Sequence, residues 1–373
     1  MQEIQVSQAQ AGQRLDKLLG RYLNTAPVSF LYKMMRKKNI TLNGKKAAGK
    51  EIVQAGDTIK VFLSDDTWNK FSSIHVNTIR QNNTGTNDSA NIGIKKSALV
   101  PATYWSKIPP LKKEQIIYED DHILILNKPV GILSQKAQPK DISINEQMIA
   151  YLLKSDQVAE TDLQILKPAV CNRLDRNTSG LLLAGKSLAG LQELSRILKD
   201  RSLHKYYEAC VTGEVKEACH IEGWLWKDEK TNQVQILPGE LDENDTGVDV
   251  ARCDTAHTVL PVPDAKPIIT EYRPLEHYSN ATLLEVLLVT GRTHQIRAHL
   301  ASIGHPIIGD GKYGDWKANQ YYEEQCHIRH QMLHARKVVF PEMSGTLAYL
   351  SGKTFTAPLP KEFARLKKVC AGE

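Results

Sequence analysis

At 373 residues the chain can bury a sizeable core, and length alone favours two domains or more. Hydrophobic residues at 41%, charged residues at 24% and a net charge of +6 describe an ordinary globular protein with a mild basic bias. Six scattered cysteines with no CxxC pair argue against a disulfide framework or a zinc ribbon, no apolar run approaches the ~20 residues of a membrane span, and the N-terminus MQEIQVSQAQ is no signal peptide, so a cytoplasmic protein is expected.

Residues 1–63 read as a small unit. Leu15, Leu18, Leu19, Tyr22 and Leu23 recur at helical spacing, and Phe30, Leu31, Met34 and Met35 begin a second amphipathic stretch. Asn43-Gly44 within ITLNGK is a hairpin signal, followed by a turn at Gly56-Asp57 and the strand TIKVFL. Between Pro27 and Lys50 no acidic residue occurs, while Lys33, Arg36, Lys37, Lys38, Lys45, Lys46 and Lys50 do. A one-signed run is often only a solvated face. Across a helix-to-hairpin unit it raises nucleic-acid binding above that reading, because such cations neutralise backbone phosphates.

Residues 64–110 read as a partly mobile linker: Asn, Ser, Thr and Gly dominate from Asn77 to Asn91, and prolines follow at Pro101, Pro109 and Pro110. Residues 111–366 then read as an α+β domain. IIYEDDHILILNKP suggests two short strands, and Ser143 with Glu146 opens a capped helix through Leu153. Ser187 opens another helix, and LHKYYEACVTG and ATLLEVLLVTG are strands ending at glycines. The acidic, turn-rich stretch 238–265 reads as a surface insertion, within a broader departure near 223–265.

Two stretches carry candidate chemistry. CNRLDRNTSGLLLAGK places Asp175 between Arg173 and Arg176 ahead of an apolar segment. In an extended backbone Arg173 and Asp175 share a face with Leu174 turned inward, and a nearby cation would keep the carboxylate charged and ready as nucleophile or base. By spacing alone, a structural ion pair beside a turn is the favoured reading. In TGRTHQIRAHLASIGHPIIGDGKYG, Ile296, Leu300 and Ile303 form a helical stripe stopped by Gly304, and Arg297 sits just off it, within reach of a pocket.

His294 and His299 read as capping or packing groups, and the grouping Cys326, His327, His330 and His334 as chance rather than a metal set. Gly309, Gly311 and Gly314 match GxGxxG, but DWKANQYYEEQ after them shows no apolar helix face, so a tight loop is the better reading.

NRLDRNTSGLLL, the KYY element and TGRTHQIRAHLASIGHPIIGDGKYG together resemble the RluA-type pseudouridine synthases over roughly residues 111–365. RLDKLL and ITLNGK make the front unit similar to the ribosomal-protein-S-four-type RNA-binding domain. The resemblance implies a mixed α/β catalytic domain on a long antiparallel sheet, with the active site in a basic cleft. It implies isomerisation of uridine to pseudouridine in RNA, large-subunit ribosomal RNA first and transfer RNA second, with no metal, cofactor, redox step or hydrolysis.

Carried over by motif, Asp175 is the catalytic aspartate, and Arg173 fills the place of the extruded nucleotide. Tyr207 stacks on the uracil and helps as a base, with Tyr206 facing the other way, and Arg297 pairs with the aspartate. Arg14, Lys33, Arg36, Lys37, Lys38, Lys45 and Lys46 are the expected RNA contacts of the front unit. Asn172 departs from the family's usual histidine, and a non-catalytic ribosome-assembly factor is the rival from another class.

Overall fold

The computed structural model describes residues 1–72, 102–228, 231, 233–237 and 264–372. Two sheets organise it. In the front unit, β1 (Gln2–Gln5), β2 (Ile40–Leu42), β3 (Lys45–Lys46) and β4 (Thr58–Val61) form an antiparallel sheet in the order β1-β4-β2-β3. The β2–β3 hairpin turns at Asn43 (φ 49°) and Gly44 (φ 74°), the two left-handed residues that an Asn-Gly turn needs.

Helices α1 (Leu15–Tyr22) and α2 (Val28–Arg36) close one core over this sheet. Leu15, Leu18, Leu19, Leu31 and Met35 are buried within it, as their helical spacing requires.

Both ends of the stretch 64–110, expected as linker, pack into the neighbouring cores. Ser64 caps α3 (Asp65–Phe71) by accepting from the Thr67 N–H, and Trp68 of that helix is 3% exposed in the front core. At the other end α4 (Ala102–Trp105) belongs to the second unit, whose core takes in Trp105, Ile108 and Leu111. The Asn-rich middle of the stretch lies outside the described residues.

The second unit is built on an eleven-stranded sheet. Its strands are β5 (Ile116–Glu119), β6 (Ile123–Lys128), β7 (Ala169–Val170), β8 (Ser179–Gly185), β9 (His204–Thr212), β10 (Cys219–Asp228), β11 (Gln233–Leu237), β12 (Lys266–His277), β13 (Ala281–Leu288), β14 (Leu333–Val339) and β15 (Thr354–Thr356). The order is β11-β10-β12-β13-β9-β14-β8-β6-β5, with β15 beside β14 and β7 beside β8. Strands β10 and β11 occupy 219–237, so the departure expected near 223–265 begins as ordinary sheet; 238–263 lie outside the described residues.

The sheet's centre is apolar on both faces. Leu124 and Leu126 of β6, with Leu182 and Ala184 of β8, pack under α5 (Ile144–Lys154), which starts at the expected Ser143–Glu146 capping box. The alternate residues Ile123, Ile125, Leu181 and Leu183 pack under α7 (Leu188–Lys199). Continuous rather than alternating hydrophobicity in these strands follows from that double burial. The short α6 (Asp162–Ile165) lies against α1, with Ile165 buried in the front core.

Among the described pairings β8–β14 alone is parallel, with His334 opposite Ser179 and Ala335 opposite Gly180. Gly180 has φ 108°, and a Cβ there would sit 2.3 Å from the Ala335 carbonyl oxygen. Only glycine permits this junction, where the chain enters β8 from the loop carrying Asp175. No helix among the described residues is long and apolar enough to cross a membrane.

Candidate active site

The loop of residues 171–178 is held from several directions. Leu174 turns inward, and its N–H and C=O both bond the Ser134 hydroxyl, at 2.9 and 2.8 Å. Asn172 accepts from the Leu183 N–H at 2.8 Å, so this side chain fastens the loop to β8.

Lys128 is fully buried, and its ammonium donates to the carbonyls of Pro129, Ile132 and Arg176 at 2.9, 2.8 and 3.0 Å. Burial pulls its pKa down to about 7, against an opposing pull from the Asp175 charge. Leu174 in and Arg173 and Asp175 out is the expected alternation.

Asp175 meets its cation across the sheet, not next to it in sequence. Arg297, on α8 (Gln295–Ser302), donates from Nη1 to Asp175 Oδ2 at 2.7 Å. The rest of its guanidinium is taken by Asp310, with Nε to Oδ2 at 2.6 Å and Nη2 to Oδ1 at 2.9 Å. Asp310 has 0% side-chain exposure and also accepts from the Lys312 and Tyr313 N–H groups.

Burial opposes both charges, yet Asp310 is held below the usual carboxylate range, and Arg297 above its ordinary value, by each other. The Tyr313 ring lies under the guanidinium, 5.3 Å from its centroid. Arg297 is thus locked in place with one N–H group aimed at Asp175.

Tyr207, on β9, is 5% exposed and lines the cleft with Asp175. Burial and then the Asp175 charge push its hydroxyl pKa up, which keeps it a neutral phenol and favours packing a flat ligand over accepting a proton. Tyr206 faces away, under the ammonium of Lys337 at 4.0 Å.

His294 stands at the N-cap of α8 and packs on Tyr313, as expected of a capping or packing group, and it also borders the site. It precedes α8 in a left-handed conformation (φ 55°), with Nε2 3.9 Å from Asp175 Oδ2 and Nδ1 2.9 Å from the Tyr313 hydroxyl. Burial lowers its pKa, so a neutral imidazole borders the aspartate. His299 is a packing group, buried with Nδ1 3.0 Å from Thr270 Oγ1.

The cleft holding these groups measures about 1150 Å³. Among the described residues ten Lys and Arg side chains line it, Arg173, Arg292, Lys312 and Arg329 among them, against the single carboxylate of Asp175. Such a cavity concentrates polyanions. Asp175, Arg173, Tyr207 and Arg297, expected to act together, all line it.

The model of the RNA pseudouridylate synthase family matches residues 122–302, the span holding Asp175, Tyr207 and Arg297. That span is just under half of this chain, and over it the chain is similar to that family.

Among its curated relatives are the "Ribosomal large subunit pseudouridine synthase C" proteins of Vibrio cholerae and Escherichia coli. They are 29% and 28% identical to it, over 91% and 90% of this chain and 89% and 88% of theirs. A solved human structure, "RNA Pseudouridylate Synthase Domain Containing 4", shares the fold at TM-score 0.52 and 20% identity, over 68% of this chain and 92% of that one.

The GxGxxG run of this chain has a packing role. Gly309 is left-handed (φ 79°) with the His330 carbonyl oxygen 2.2 Å from where a Cβ would stand, and the turn brings Asp310 to Arg297. The next segment is a helix, α9 (Trp316–Cys326), that buries only Tyr322 and Cys326, in keeping with the missing apolar face. Cys326, His327, His330 and His334 go separate ways, to the Tyr322 carbonyl, a left-handed helix cap, the cleft wall and a bond with Ser179.

The basic set of the front unit stands apart from this cleft. Lys33, Arg36, Lys37, Lys38, Lys45 and Lys46 are exposed along α2, the turn after it and β3. Arg14 is engaged instead, bonding Asp16 at 2.7 Å and the Tyr32 hydroxyl at 3.3 Å, and so ties α1 to α2.

Proposed function

We propose that this protein converts uridine to pseudouridine in large-subunit ribosomal RNA, with Asp175 as the catalytic carboxylate and the front unit as an S-four-type RNA-binding module. The observation that carries the reading is the Asp175–Arg297 contact inside a cleft lined, among the described residues, by ten cations and one carboxylate. The relatives named for the large ribosomal subunit support the substrate class.

The reaction conserves every atom. Asp175 promotes cleavage of the bond from the sugar to the uracil nitrogen, by attack on the sugar or by taking a sugar proton. The freed uracil turns within the cleft and rejoins through a ring carbon. This displaces Asp175 from the sugar, or goes with return of the proton it took, and the ring carbon then loses its proton while the freed ring nitrogen gains one. Nothing is oxidised, reduced or hydrolysed.

A stacked base cannot reach a recessed carboxylate, so the nucleotide must leave the helix at a cost of a few kcal/mol. Exposed Arg173, two residues from Asp175 on the same face, suits filling the vacated place, and buried Tyr207 suits stacking on the flipped base. Arg297 fixes the carboxylate's direction and balances its charge while the base is loose.

The test is tritium release from RNA labelled at the uracil carbon that becomes bonded to sugar, with unmodified large-subunit ribosomal RNA and transfer RNA compared. Release from the ribosomal RNA is expected. Release from transfer RNA alone would move the substrate, and binding without release would favour an assembly factor.

A second prediction concerns the front unit. Changing Lys37, Lys38, Lys45 and Lys46 to glutamine should weaken binding at low salt. It should also flatten the salt dependence by about 0.7–0.9 for each phosphate no longer neutralised, as measured by filter binding from 50 to 200 mM salt. An unchanged slope would remove these residues from the interface.

A further inference from the structure

Strand β9 alternates strictly at its start, so Lys205 and Tyr207 share a face two residues, or about 7 Å, apart. Both line the cleft. Lys205 is only 9% exposed, and among the described residues the one bond its ammonium makes is a long one, 3.4 Å to the Leu203 carbonyl oxygen.

A buried ammonium with three donors and so little return is costly unless an anion completes it. The surroundings add to that cost. Burial and then the charge of Arg201 pull the Lys205 pKa down to about 8, and burial and Arg201 also lower that of Arg292.

Arg201 itself stands in the turn between α7 and β9 with φ 63°, a left-handed conformation uncommon for a bulky residue. Strain of this kind concentrates at functional sites.

We infer that Lys205, with Arg201 and Arg292, forms a subsite for a backbone phosphate of the target nucleotide, so that one strand holds the phosphate at Lys205 and the base at Tyr207. The inference rests on the RNA reading above. Three cations gathered beside a stacking ring match a nucleotide's own layout, and the bound phosphate relieves the repulsion between them.

Among the described residues the charged and titratable groups lining the cleft with Lys205 are Cys171, Arg173, Asp175 and Arg176 before β8, Lys199 of α7, Arg201, Tyr207 on its own strand, Lys227 of β10, Arg292, His294 and Arg297 after β13, and Lys312, Arg329 and His330 before β14. Only the protonated ammonium pairs with phosphate, so affinity is full at neutral pH. It declines as pH rises through the lysine's titration, which a bound phosphate moves upward.

The experiment measures KM and kcat between pH 6.5 and 9.5 by tritium release from unmodified large-subunit ribosomal RNA, for wild type, Lys205→Arg and Lys205→Met. Wild-type KM should climb with pH, while Lys205→Arg should stay flat because arginine remains charged. Lys205→Met should show a KM raised about tenfold at pH 7, kcat within about twofold of wild type, and a salt slope reduced by about 0.7. Should Lys205→Met fail to fold, the flattened profile of Lys205→Arg alone decides. Matching KM values and pH profiles in an active wild type and its variants would overturn the subsite alone. A wild type that releases no tritium would overturn the functional reading, and the subsite with it.

Discussion

Replacing Asp175 with asparagine is expected to abolish isomerisation, by at least about 10⁴-fold, the scale of losing a nucleophile. Affinity for RNA should stay nearly unchanged. Asparagine keeps the shape, and its carbonyl can still accept from Arg297 Nη1, so the loop pinned by Ser134, Asn172 and Lys128 has no reason to move. What disappears is the charge and nucleophilicity of the one carboxylate that lines the cleft among the described residues, while the cations remain to hold the RNA. Tritium release and filter binding on the same preparations check this. Residual turnover above about 1% of wild type would remove Asp175 from bond cleavage.

The second large effect is expected at Asp310, which never reaches the cleft. Asp310→Ala leaves Arg297, 6% exposed, without the partner that takes two of its N–H groups. Breaking a buried pair from one side typically costs about 3–5 kcal/mol, because the remaining charge stays desolvated. The unfolding midpoint of the second unit should fall accordingly, and activity with it, since Arg297 would no longer be held towards Asp175.

A double variant, Arg297→Met with Asp310→Leu, separates the two roles. It should recover most of the stability and none of the activity. Full activity in Asp310→Ala would show that Arg297 needs no clamp. Acid should act in the same direction: the folded pKa of Asp310 is depressed, so its contribution is present above the unfolded carboxylate value near 3.9 and is lost as pH falls through the folded one.

The parts of this fold that follow a period were legible in the sequence. Leu15, Leu18 and Leu19 announced α1, Asn43-Gly44 announced the hairpin, and Ser143 with Glu146 announced α5. Elements with a thin apolar signature were not. Helix α3 has Trp68 as its one buried residue and read as linker, and α9, which buries only Tyr322 and Cys326, showed no apolar face.

The site was legible through resemblance more than spacing. Asp175 and Arg297 are 122 residues apart, and spacing cannot predict a pair that the sheet assembles. Asp310 was hidden inside a glycine run, because its role depends on a left-handed Gly309 and on an arginine in the preceding helix. His294 gave no signal either, since its left-handed backbone is imposed by the turn into α8. Lys128 was not singled out in the sequence, and only its burial makes it a brace for the loop carrying Asp175.

The most direct measurement is chemical mapping of pseudouridine along large-subunit ribosomal RNA from cells lacking the protein, complemented with wild type or with Asp175→Asn. One or more sites should disappear with the protein, return with wild type and stay absent with Asp175→Asn. An unchanged pseudouridine map without the protein, or sites restored by Asp175→Asn, would contradict the assignment of this chain as an aspartate-dependent uridine isomerase.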